Sequence, residues 1–330
     1  MKVFEKAKWI WAKGSLDIDD YIELKDEFVS TTDNISIRIS CDSVYAIYLN
    51  NELIKFMNCS DYPFYKYYDE FLLPCHIGQN EIRIQVWHYG VNSQAYYKSN
   101  QGLVYEVIQN NKIISYSSNN SKVRIMNEYK NGYGKIITDQ LGMSFYYDNT
   151  IEKSLFESAI EVDKTYDFHK REINAIELRD REEISIRENQ GTLLVDLGKE
   201  IAGLLDIDID SDCDQLITIA YGEHIDDGMV RRKIANRDFS VEFYAKKGNN
   251  KYLNPFRRLA GRYLEFHFSK PIKINYAGIR SVMYKHEIIN KDFNDELINV
   301  IYQTSIRTLE LCMHEHYEDC PWREQNLYAE

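Results

Sequence analysis

Over much of the first 150 residues, apolar and polar side chains alternate with period two. Ile35-Ser36-Ile37-Arg38-Ile39 is the plainest case, and such alternation is the mark of a half-buried strand. Asn80 to Trp87 and Gly102 to Ile108 read the same way, and Val44 to Leu49 and Glu52 to Phe56 are strand-like runs. Asn50-Asn51 separates two of these runs. Asparagine tolerates the positive φ of a tight primed turn, so this pair predicts a hairpin. Asn131-Gly132 predicts a further turn. No long segment here keeps a 3.6-residue period. The pattern therefore predicts an antiparallel, jelly-roll-like β-sandwich over residues 1–150.

Residues 151–190 are rich in Glu, Lys, Arg and Asp, with weak patterning. They predict a charged connector that mixes a short helix, a linker and an incoming strand. Arg179 to Glu183 reads as a solvated face. Strand patterns resume over 191–288, a second β-sandwich: Thr192 to Gly198, Ile201 to Ile209, Gln215 to Tyr221, Phe239 to Tyr244 and Tyr263 to Phe268, with a turn at Asp227-Gly228. The aspartates at 206, 208, 210, 212 and 214 suggest a calcium loop at first sight. Their alternation instead places several on one exposed strand face, without the glycine and terminal glutamate of a helix-loop-helix site. From residue 289 the period changes. Asn294 is the expected N-cap, and Leu297, Val300, Ile301, Thr304, Thr308, Leu309, Leu311 and Cys312 recur at helical steps. This one apolar stripe needs cover. Without it, residues 294–330 are expected to be poorly ordered or to associate.

Composition narrows the function classes. The net charge of −12 over 330 residues argues against nucleic acid and anionic membrane surfaces as partners. No run approaches the roughly 20 apolar residues of a membrane span, and no export signal opens the chain. The six cysteines (Cys41, Cys59, Cys75, Cys213, Cys312, Cys320) follow no framework spacing, so reduced thiols in a cytoplasm are expected. Tyrosine is used 26 times. Trp9, Trp11, Trp87 and the Tyr62 to Tyr68 cluster would suit a sugar platform, but core filling is the favoured role for such residues.

The densest chemistry lies in His314 to Glu330. Pro321 is predicted to end the helix and to hold Cys320 extended. Asp319 and Glu324 would then face a common pocket, with Arg323 to orient a carboxylate and Trp322 to offer a flat face to a sugar ring. Acid groups beside an aromatic platform suit glycoside hydrolysis. A charged corner with a packed tryptophan fits the same residues equally well. Cys312, His314, His316 and Cys320 lack a convergent zinc spacing, and no metal or other cofactor is expected.

Three stretches carry a family resemblance: Asp196 to Leu205 (DLGKEIAGLL) with Tyr221-Gly222-Glu223, Asn254 to Phe266 (NPFRRLAGRYLEF), and Asp319 to Glu324 (DCPWRE). They resemble the bacterial α-L-rhamnosidases with an (α/α)6 catalytic barrel. The resemblance implies a mainly β chain: two antiparallel sandwich domains followed, over 289–330, by the first helix of a truncated six-hairpin barrel. It implies rhamnose-containing glycosides as substrates and an inverting mechanism. Asp319, Trp322 and Arg323 would be sugar-binding residues, and Glu324 the candidate general acid, with the base absent from the chain. Two readings follow. One is an N-terminal part of such an enzyme, inactive alone and open to complementation by a downstream polypeptide. The other is a stand-alone carbohydrate-binding sandwich with a vestigial tail.

Overall fold

The computed structural model describes residues 2–58, 61–173, 176–287, 289 and 291–328. Cys59 lies outside them. Strand takes 55 % of the chain and helix 5 %, so the chain is mainly β, as its period-two patterning predicts. It divides into two compact units, Met1–Glu172 and Ile173–Glu330.

The first unit holds two sheets. In one, the strands Ile160–Glu161, Ile10–Trp11, Gly102–Gln109, Asn34–Asp42, Tyr65–Pro74 and Asp167–Lys170 lie in that order, and Lys112–Tyr116 pairs with Gly102–Gln109. In the other the order is Glu157–Ser158, Lys122–Ile125, Asp20–Ser30, Gly78–His88, Val44–Leu49 and Glu52–Asn58. The alternation reads out directly: Ile35, Ile37 and Ile39 are buried, as are Ile82, Ile84 and Val86. Both residues of the Asn50-Asn51 turn have positive φ, and Asn110-Asn111 repeats the device between Gly102–Gln109 and Lys112–Tyr116. Trp9, Trp11 and Trp87 are buried, in the core-filling role. The indoles of Trp11 and Trp87 donate to Asp20 (3.0 Å) and Asp19 (2.9 Å), and Tyr21 stacks between Trp87 and Tyr129 at 5.1 and 4.3 Å.

A charged cluster is enclosed in this unit. The Lys66 side chain is 0 % exposed, with its ammonium 2.7 Å from Asp42 Oδ2 and 2.6 Å from Asp61 Oδ1. Asp42 also accepts from the Tyr96 hydroxyl at 2.6 Å and lies 2.8 Å from His88 Nδ1. Burial alone would lower the lysine's pKa, but the two carboxylates outweigh it and hold the ammonium above its ordinary range.

The connector contains no helix among its described residues, contrary to the pattern-based expectation. Glu157–Ser158, Ile160–Glu161 and Asp167–Lys170 complete sheets of the first unit, and Ile176–Leu178 and Ser185–Asn189 those of the second. Charged side chains on short edge strands obscure the period that longer strands display. Arg181 leaves the solvated run to pair with Asp206 through two bonds of 2.8 and 2.7 Å.

In the second unit the strand order is Ser240–Ala245, Gln215–Gly222, Gly248–His267, Thr192–Ser211, Ile272–Tyr284 and Ile176–Leu178, with Ser185–Asn189 against Thr192–Ser211. The segments 192–198 and 201–209 are one 20-residue strand. Its register against Gly248–His267 shifts between Asp196 and Ile201. Gly198, at φ +75°, sits in that shift, which is why the sequence reads as two strands. Beyond it, Ile201 to Asp206 are buried without a break, as a strand covered on both faces must be. Asp208 and Asp210 share the side-chain amides of Asn249 and Asn275, a ladder on an exposed face.

The helix spans Glu296–Leu311. Asp295, and not the expected Asn294, caps it: Oδ1 accepts from Ile298 N at 3.1 Å. Asn294 is the left-handed residue before the cap, at φ 53°. The stripe predicted to need cover is uncovered, with Leu297, Val300 and Ile301 all exposed.

Candidate functional site

The helix ends at Leu311, ten residues before Pro321, so the proline does not terminate it. Cys312 closes the last turn through its N–H to Leu309 O, and its own carbonyl accepts from Glu318 N at 2.7 Å. The chain then folds into a knot of short-range bonds. His314 N donates to His316 O at 3.1 Å, and Asp319 N to Asn326 O at 2.9 Å. Asn326 N returns a bond to Asp319 Oδ1 at 3.0 Å, and the Gln325 side chain donates to Pro321 O at 2.6 Å. Proline suits this corner because it fixes one φ and its carbonyl remains free to accept.

Three strands hold the corner in place. Arg258, on Gly248–His267, reaches Glu315 at 3.1 Å and also binds Glu318. Arg237 reaches Glu324 Oε1 at 2.8 Å. Trp322 enters the unit's interior at 1 % exposure, with its ring 4.8 Å from that of Phe239 and 5.7 Å from that of His224. Gly222, at the end of Gln215–Gly222, makes room for it, since a Cβ there would stand 3.1 Å from the indole. The exposed aromatic face expected of Trp322 is therefore not presented; the indole is a packing anchor. Its large apolar area favours burial against Phe239.

The predicted carboxylates do meet. Ligand atoms of Asp319, Cys320 and Glu324 lie within 4.8 Å of one another. Asp319 is exposed, whereas Glu324 is partly buried. Glu324 Oε2 accepts from Cys320 Sγ at 3.0 Å, and Arg323 Nε approaches it at 3.6 Å. Burial would raise this carboxyl's pKa, yet the bonds from Cys320 and Arg237 prevail and hold it below the usual range. Glu324 is thus an ionised acceptor in this arrangement, while a general acid needs a raised pKa. Cys312, His314, His316 and Cys320 do not form a metal-capable group among the described residues. His314 is buried and its pKa is pushed down to about 2, chiefly by burial and then by the charge of Arg258.

A second acidic pair escaped the patterning because its members are distant in sequence. Glu200, in the register shift of Thr192–Ser211, is pushed up to about 7 by burial and by the neighbouring Glu223. Arg307 of the helix donates to the Glu200 carbonyl at 2.5 Å. The only sequence signal was that both residues fall in stretches quoted above for the resemblance. The raised pKa means that the folded chain holds this proton more tightly than the unfolded one. Stability from it is complete below the ordinary glutamate range near 4.5 and is lost as pH rises through about 7. Glu200→Gln is expected to gain on the order of 1 kcal/mol over the wild type at pH 8, after discounting for solvent screening, and nothing at pH 4. Thermal melts of both proteins across that range test this; a constant difference would contradict it.

Residues 186–283 match the family model for the bacterial alpha-L-rhamnosidase concanavalin-like domain. No curated protein matches the chain. Among solved structures, it is similar to a GH78 family rhamnosidase of Bacillus sp. GL1, with TM-score 0.83 and 12 % identity over 97 % of this chain and 60 % of that one. An α-L-rhamnosidase from Aspergillus terreus gives TM-score 0.74 and 15 % identity over 97 % and 41 %. One from Dictyoglumus thermophilum gives 0.72 and 20 % over 97 % and 40 %. At these identities the likeness is one of fold, and the chain spans 60 % or less of each of these relatives.

Proposed function

Taking residues 186–283 as a bacterial α-L-rhamnosidase concanavalin-like domain, we propose that the chain supplies the β-domains and one wall of the sugar site of an α-L-rhamnosidase. The complete enzyme would release terminal α-L-rhamnose from glycosides with inversion, in a cytoplasmic setting. The observation that carries this reading is the corner at 319–326, docked on that domain through Arg237 and Trp322. Asp319 and the ionised Glu324 would accept hydrogen bonds from sugar hydroxyls, and Arg323 would donate to them. For Glu324 to act as general acid, Arg237 has to leave it, since that ion pair favours the charged form.

An inverting pair stands roughly 6.5–9.5 Å apart, with a water between. Asp319 and Glu324 approach within 4.8 Å, too close for that role, so the base must come from elsewhere. The 330-residue chain is therefore expected to release no p-nitrophenol from p-nitrophenyl α-L-rhamnoside. Turnover that disappears on Glu324→Gln would show that the described residues suffice and would overturn this account of the site.

A further inference from the structure

The first unit carries three aromatic rings that its core does not use. Phe64 is 73 % exposed, Tyr97 55 % and Tyr62 53 %. They are gathered side by side: the Tyr62 ring lies 5.2 Å from Tyr97 and 5.9 Å from Phe64, with interplanar angles of 24° and 21°. Tyr62 is thus near-parallel to both of its neighbours, and all three are more than half exposed. A contiguous apolar patch of this kind on a folded surface marks an interaction site more often than an isolated exposed residue does.

The loops that carry the rings are fixed from below. Asp61 precedes Tyr62, and its carboxylate binds Lys66 and accepts from Tyr67 N at 2.7 Å. Tyr96 precedes Tyr97, and its hydroxyl binds Asp42, which holds the same Lys66. Ser93 N donates to Tyr96 O at 2.9 Å, and Lys98 N to Asn92 Oδ1 at 2.6 Å, closing the second loop on itself. The enclosed Asp42–Lys66–Asp61 cluster therefore ties together the residues next to two of the three rings. Rings held in place before a ligand arrives lose little freedom on binding it.

We propose that Tyr62, Phe64 and Tyr97 form a binding subsite for a neutral pyranoside. The aromatic faces match the C–H face of a pyranose ring, and the two phenol groups can donate to and accept from its hydroxyls. An anionic partner is disfavoured by the net charge of −12. A protein partner is disfavoured by area: three aromatic side chains bury at most ~250 Å² each, below the ~800 Å² per partner of a standard interface. The subsite is independent of the hydrolytic reading, because it is measured as binding by the chain as it stands.

Saturation-transfer NMR with methyl α-L-rhamnopyranoside and methyl β-D-glucopyranoside tests it on the full chain. Saturation of the sugar ring protons is expected from the wild type. Phe64→Ala and Tyr97→Ala are each expected to weaken binding about tenfold, equivalent to about 1.4 kcal/mol. Tyr116→Ala, an exposed aromatic elsewhere in the unit, is expected to bind as the wild type does. Absence of transfer to both sugars, or equal transfer in all variants, would refute the subsite. So would a dimer in sedimentation velocity that Phe64→Ala dissociates, which would assign the patch to a second copy of the chain.

Discussion

Replacing Lys66 with methionine is expected to destabilise the first unit by roughly 3–5 kcal/mol. Methionine fills much of the same volume, so the loss is electrostatic. Asp42 and Asp61 would be left enclosed, with 0 % and 1 % side-chain exposure, and without the ammonium that binds them both. Two carboxylates in such a place must either take up protons or admit water, and either change loosens the loops at Asp61 and Tyr96. Urea unfolding of the single variant tests the size of the effect. The pair Lys66→Met with Asp61→Asn tests its cause, because removing one stranded charge should restore part of the loss. A Lys66→Met protein as stable as the wild type would show that the cluster holds nothing together.

The second large effect is expected at Trp322. Truncation to alanine empties a site lined by Phe239, His224 and Gly222, at a cost of about 3–5 kcal/mol. Trp322→Phe should cost much less. It retains a ring against Phe239 and removes an indole N–H that is buried with no hydrogen-bond partner among the described residues, a group whose burial is itself unfavourable. Hydrogen exchange should resolve the two: in Trp322→Ala the amides of Glu318, Asp319 and Asn326 lose protection, while in Trp322→Phe they largely keep it. Unchanged protection in the alanine variant would mean that Arg237 and Arg258 alone dock the corner.

Where side chains alternate strictly, the fold was legible. Ile35 to Ile39 announces both its strand and its buried face, and Asn50-Asn51 announces the turn between Val44–Leu49 and Glu52–Asn58. Legibility failed where the shift at Gly198 hid that 192–198 and 201–209 are one strand, and where a strand was too short to show a period, as in Ile176–Leu178. The corner at Asp319 to Glu324 was legible as a cluster of residue types. Its internal arrangement was not, because several deciding partners are remote: Arg237 joins the nearby Cys320 in holding Glu324 ionised, and Phe239 packs against the buried Trp322. The same holds for Glu200 and Glu223, whose proximity is a product of strand pairing and not of spacing.

The two 20-residue strands, Thr192–Ser211 and Gly248–His267, have a mechanical consequence. At about 3.3 Å per residue each is of the order of 60 Å long, and one antiparallel ladder with two register shifts, between Asp196 and Ile201 and between Leu204 and Asp206, links them. At one position along it is Arg181 on Asp206, at another Glu200 with Arg307 of the helix, and at a third Arg258, which binds Glu315 and Glu318 beside the corner. The two shifts are the places where the pairing is interrupted, and local opening of the sheet is expected to start there rather than in the regular stretches between them.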